Sequence, residues 1–164
     1  MSAEGARSAA RTLLAITALT TSHTPTAAQP TLLLPLTPAC VSSPFGPRPA
    51  PGPRGSALHA GVDIPAPAGT WVRAAAAGEV AAIRRRGSAG LEVELRHAEG
   101  YVTRYAHLGT VAPALASGRR RVAAGEPLGR IGRTGITYGT HLHLELLIRG
   151  TRVDPASHFG LRGC

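Results

Sequence analysis

Short hydrophobic runs, broken every few residues by turn-forming sequences, dominate residues 62–148. They fall at 62–64, 70–73, 79–86, 91–96, 101–107, 129–132 and 141–148, and the breaks between them include GSAG, HAEG and ASG. Runs of this length bounded by glycine predict strands joined by turns. The fold class expected is therefore mainly β, a small antiparallel sandwich or open barrel. Alternation is cleanest in THLHLEL, residues 140–146. As a strand this segment puts His141, His143 and Glu145 on one side and Leu142, Leu144 and Leu146 on the other. AAAA at 74–77, just before Gly78, predicts at most one turn of helix. Residues 43–58 read SPFGPRPAPGPRGSAL, with five prolines and three glycines in 16 residues. Their place directly before a ligand-rich stretch predicts a rigid loop flanking a site rather than a disordered linker.

A chain of 164 residues has room for one domain, and 43% hydrophobic residues are enough for a single core. Few aromatics, 20 glycines and 14 prolines favour turns and short strands over long helices. All 18 basic residues are arginine, and against nine acids they give a formal charge of +9. Such a surplus predicts an anionic partner, whether nucleic acid, membrane surface or acidic wall polymer. Two triplets, Arg84–Arg86 and Arg119–Arg121, each beside a glycine, read as solvated loop ends. With no aromatic residues interleaved to stack bases, nucleic acid is not expected as a partner. The glycines at 125, 129, 132, 135 and 139 match no phosphate-binding pattern.

The chain opens with features of an export signal over residues 1–28: Arg7 and Arg11, an apolar stretch at 12–20, and small residues at 26–28. The apolar stretch is too short to span a bilayer, so no stable membrane insertion is expected once it is removed. The layout predicted is a signal peptide at 1–28, an N-terminal segment at 29–42 and a folded domain at 43–164, exported to the periplasm or cell wall. Cys40 and Cys164 are the only cysteines. In an exported chain they either form a disulfide joining the domain's ends or are two unrelated thiols.

HAGVD, residues 59–63, supplies further metal-ligand types. Gly61, Val62 and Pro65 argue against helix here, and on a straight strand His59 and Asp63 would start about 13 Å apart. The chain must bend between them if they cooperate, and Gly61 would permit it. His141 and His143, about 6–7 Å apart along the backbone, allow one ring to ligate an ion while the other reaches a water beside it. His59, Asp63 and one histidine of that pair make three ligands with an open fourth position, the pattern of catalytic rather than structural zinc. His107, ending a predicted strand, adds a candidate imidazole. Glu145 either orients a ligand from behind or is simply the next polar residue of its strand. His23 lies in the signal segment, and His97 and His158 sit in turn-like contexts without partners.

Four ordered blocks, SPFGPR, HAGVDIPAPAGTWVRAAAAGEV, YVTRYAHLG and GEPLGRIGRTGITYGTHLHLEL, cover most of residues 43–148. Together they resemble the lysostaphin-type (LytM-like) zinc endopeptidases that cut peptides of bacterial peptidoglycan. The resemblance implies an antiparallel β domain with an open groove, one Zn2+ per chain held by His59, Asp63 and His143, and His141 and His107 as catalytic imidazoles. It implies peptidoglycan as partner. A monomer is expected. Arg48 matches a recurrent arginine of the first block and is expected in the substrate groove, as is Tyr138. The sequence departs from the family in its proline-rich 51–53 region, where some members carry a tyrosine, and in Tyr138, where many have a small residue. The alternative function is a wall-binding or activating module that keeps the fold without cutting.

Overall fold

The computed structural model describes residues 30–164; the segment read as a signal peptide, with His23, lies outside the described residues. The strands are β1 (Gly46–Pro47), β2 (Leu58–His59), β3 (Val62–Pro65), β4 (Trp71–Arg73), β5 (Gly78–Arg86), β6 (Gly90–Arg96), β7 (Tyr101–Val111), β8 (Arg121–Val122), β9 (Pro127–Ile131), β10 (His141–Ile148) and β11 (Thr151–Val153). Two short helices follow β7 and β11: α1 (Pro113–Ala116) and α2 (Pro155–Phe159). The main sheet runs β11-β10-β7-β6-β5-β8, and its named strands pair antiparallel. All seven hydrophobic runs are strands.

β10 is the centre of the arrangement. One edge pairs with β7; the other is shared end to end by β3, opposite His141–Leu144, and β11, opposite Leu146–Ile148. Its alternation works as the sequence predicts: Leu142, Leu144 and Leu146 are fully buried while His141, His143 and Glu145 face a partly open side. Burying each leucine stabilises by about 1.5–3 kcal/mol. A one-residue slip would turn all three outward, so this strand's register is strongly fixed. Val62, Ile64, Val93, Leu95 and Tyr105 complete the same apolar layer.

β7 is long because, besides pairing with β6, it serves β10 and then β9 in succession. Tyr101–Ala106 pairs with β10, and after His107 the chain turns so that Leu108–Val111 pairs with β9, which in turn pairs with β4. The turn is made by His107 in the left-handed region, φ 60°, a conformation uncommon for any residue but glycine.

Three expectations need correction. Residues 74–77 are not helical: Ala74 N–H donates to Glu126 and Ala75 N–H to the Tyr105 hydroxyl, so partners from distant segments take the bonds a helix would need. Arg84–Arg86 is not a solvated loop end but lies in β5, where Arg84 and Arg86 pair with acids of β6; Arg119 pairs with Glu126. His97 has partners, the Ala77 carbonyl at 2.9 Å and the Thr103 hydroxyl at 2.7 Å. α2, not among the predicted elements, carries recognisable punctuation: Asp154 caps the Ala156 N–H, Pro155 occupies the first turn, and Gly160 ends the helix at φ 64°.

The proline-rich segment folds back as the β1–β2 hairpin, with Gly46 opposite His59. Cys40 and Cys164 are disulfide-bonded across 124 residues, and Val41 and Gly163 pair beside them. None of the described helices is long and apolar enough to cross a membrane.

Candidate active site

β2 delivers His59, β3 delivers Asp63 and β10 delivers His143 to one point. The intervening bend is tight because Gly61 lies against β10: a Cβ there would stand 2.2 Å from the Leu144 carbonyl oxygen and 3.1 Å from the His143 ring. Gly61 is thus needed for close approach of two backbones, and no left-handed turn is involved. His59 Nε2, Asp63 Oδ1 and His143 Nδ1 form a triangle with sides of 3.2, 3.0 and 3.1 Å. Three donors around a four-coordinate zinc at 2.0–2.1 Å stand about 3.3 Å apart. Spacing and donor types therefore fit one zinc ion, and these residues are the described cluster able to share a metal.

The lone pairs are aimed by partners behind each ring. The His59 Nδ1–H donates to the Pro44 carbonyl at 2.7 Å, leaving Nε2 free for the shared point. His143 is turned the other way: its Nε2–H reaches Glu145 Oε1 at 3.5 Å, and Nδ1 faces inward. Asp63 keeps its second oxygen 3.3 Å from Arg48 Nη1, and Arg48 also donates to the Ser43 hydroxyl. Burial works to raise the Asp63 carboxyl, but hydrogen bonds from His143 and His59 hold it well below the usual carboxylate range. Burial works to lower His143, yet Asp63 and Glu145 together raise it to about 9. The field here favours positive charge, whether a proton on His143 or a cation shared by the three donors.

Two more imidazoles stand beside the triangle. His141 turns its Nδ1–H to the Gly139 carbonyl, 3.1 Å away, and brings Nε2 within 3.4 Å of Asp63 Oδ1. His107 turns its Nδ1–H to the Thr134 carbonyl at 2.9 Å, with its ring edge-on to His141 at 4.8 Å. Burial, more than any neighbour, lowers both, His107 to about 4, so both rings are neutral near pH 7 with an acceptor nitrogen left over. All five side chains line a cavity of about 540 Å³, a size that takes a short stretch of peptide.

Arg48 and Tyr138 also line it. Tyr138 spans from its own loop to the proline-rich one: its hydroxyl accepts from Arg54 N–H at 3.1 Å, and its ring end occupies the space a Gly52 Cβ would need. His97 and His158 are elsewhere, His97 between Ala77 and Thr103 and His158 in α2. Sequence reasoning missed Pro44 and Thr134, which act through backbone carbonyls and so leave no mark in side-chain identity. Of the two readings of Glu145, a residue orienting a ligand or simply the next polar position of its strand, the structure offers a contact for the first, with Oε1 3.5 Å from His143 Nε2.

The sequence profile of peptidase family M23 matches residues 57–155, which contain all five of these histidine and aspartate side chains. The chain belongs to peptidase family M23. Over 117 residues, 71% of the chain, this M23 domain is 44% identical to the DD-carboxypeptidase/endopeptidase Mpg of Neisseria meningitidis, of which it spans 26%. A zinc-containing peptidase of Vibrio cholerae superposes with a TM-score of 0.65 at 28% identity, covering 76% of this chain and 39% of that one. The catalytic domain of lysostaphin from Staphylococcus simulans shares the fold, with a TM-score of 0.61 at 24% identity over 73% of this chain and 90% of its own. The chain thus spans about a quarter of the length of the curated relatives it matches. Its fold class is the mainly antiparallel β type that its hydrophobic pattern predicts.

Proposed function

We propose that this M23 domain is a zinc-dependent endopeptidase hydrolysing peptide bonds in the stem or cross-bridge peptides of bacterial peptidoglycan. The observation that carries the reading is the convergence of three lone pairs, from His59 Nε2, Asp63 Oδ1 and His143 Nδ1, beside two neutral imidazoles in one cavity. The name of the Neisseria relative, a DD-carboxypeptidase/endopeptidase, supports peptide-bond hydrolysis. Work on the wall requires export, which agrees with residues 1–28 as a signal peptide and 43–164 as the working domain.

Zinc, when bound, supplies a Lewis acid that polarises the scissile carbonyl and acidifies the attacking water. His141 is the base: with Nδ1–H committed to Gly139, Nε2 accepts the water's proton and returns it to the leaving amine. His107 presents an acceptor nitrogen too, because Nδ1–H is committed to Thr134. That favours fixing the attacking water over donating to the developing oxyanion. Arg48 braces Asp63 from the groove side, and Tyr138 ties together two loops that line the groove.

The test is incubation of the purified chain with isolated sacculi, with and without chelator, and measurement of newly released amines. Release that stops with chelator and is restored by zinc is expected. His141→Ala should lose hydrolysis while still binding zinc; loss of the metal as well would reverse the assignment of the pair. Wall binding without release would point to the non-cutting module instead.

A further inference from the structure

The face of the sheet that carries His143 also carries a row of interlocked charges. Glu92 and Glu94 of β6, Arg104 of β7 and Glu145 of β10 are each mostly buried, at 4, 11, 18 and 14% side-chain exposure. They stand on adjacent strands in register, Glu94 opposite Arg104 and Arg104 opposite Glu145. Arg104 bridges its neighbours, with Nε donating to Glu94 Oε2 at 2.8 Å and Nη1 to Glu145 Oε2 at 3.1 Å. Arg152 holds the same Glu145 oxygen at 3.2 Å from the sheet edge. Glu145 therefore has one oxygen clamped by two guanidinium groups and the other turned to the His143 Nε2–H. At the far end Arg84 joins Glu92 to Glu94.

Resting on the zinc reading above, we propose that Glu145 and its clamp Arg104 are positioning residues for the metal site. The carboxylate, held still by Arg104, fixes the ring of His143 so that Nδ1 and no other atom meets the metal. A free imidazole exchanges its proton between two nitrogens and rotates about χ2. An acceptor held behind Nε2 selects one tautomer and one orientation, and it makes the opposite nitrogen a better donor. A carboxylate on a flexible stem cannot do this alone; the cross-strand arginine gives it a fixed place, and Glu94 gives the arginine one in turn. Without such bracing a strand-borne histidine 14% exposed at its side chain would have freedom to swing into the groove.

The experiment measures zinc affinity of the full chain by competition with a chromophoric chelator, alongside the urea midpoint of each metal-free protein. Glu145→Gln, near-isosteric and uncharged, should weaken zinc binding about 10- to 100-fold. Arg104→Met, which touches no donor, should weaken it about tenfold, and Arg104→Lys should not rescue it, because one ammonium cannot bridge both carboxylates as the fork does. Glu92→Gln is the contrast: it breaks buried ion pairs on the same face without reaching Arg104, so stability should fall while zinc affinity stays within about twofold of wild type. Affinities for Glu145→Gln and Arg104→Met within twofold of wild type would overturn the proposal, as would losses that simply track stability in all three variants. A wild-type affinity no better than that of His59→Ala would instead bring down the zinc reading itself.

Discussion

Gly61→Ala adds one methyl group at the place where the two halves of the site touch. Its Cβ would stand 2.2 Å from the Leu144 carbonyl oxygen and 2.8 Å from the carbonyl carbon, both backbone atoms of β10 that no rotamer change can move aside. Restoring ordinary contact, near 3.4 Å, requires β3 and β10 to part locally by about 1.2 Å. Both strands are paired, His143 opposite Asp63 and Leu144 opposite Val62, so the separation strains the ladder that aligns the donors. Overpacking of this kind costs about 1–3 kcal/mol, or roughly 3–12 °C in Tm for a domain of this size. The effect on the site should be larger in proportion, since metal geometry tolerates only about 0.2 Å. Zinc affinity should drop at least about tenfold, as expected when ligand positioning is disturbed. The assay pairs thermal melts of the metal-free protein with chelator competition, and Gly163→Ala, with its nearest neighbour 4.0 Å away, serves as the matched methyl addition. A Gly61→Ala protein that melts and binds zinc like the Gly163→Ala protein would refute the close-approach account.

Closing a loop of 124 residues, the Cys40–Cys164 disulfide should contribute up to about 5 kcal/mol by restricting the unfolded chain; urea midpoints unchanged by reductant would contradict this. Burial lowers His97 below its usual value despite the opposing pull of the Ala77 carbonyl. Its contribution to stability is therefore complete above about pH 6.5 and lost as pH falls through the lower folded value. Urea midpoints of wild type and His97→Ala should converge between about pH 7 and pH 5, and parallel curves would count against the assignment. Tyr138→Ala removes the bond to Arg54 and frees two groove loops. It should change KM for cross-linked wall peptides by several-fold or more while leaving zinc affinity as it was; a matching loss of zinc binding would place Tyr138 in the metal site instead.

The strands of this protein were legible because short hydrophobic runs between glycine-containing turns are a local property, and each of the seven runs carries that signal within its own residues and flanks. The candidate ligands could be named from the sequence because four ordered blocks together resemble one family, whereas the H-x-x-x-D and H-x-H spacings alone are weak signals. What residue order could not hold is anything fixed by two distant segments at once. The burial of residues 74–76, the pairing of the Arg84–Arg86 run and the partners of His97 all depend on which strands become neighbours. So does the reason for Gly61, which sequence suggests is flexibility and the fold shows to be lack of room beside Leu144. Glu145 makes the same point from the other side. Its place two residues after His143 shows that it shares the histidine face, but its role is decided by Arg104, 41 residues earlier, which only the β7–β10 register brings opposite it.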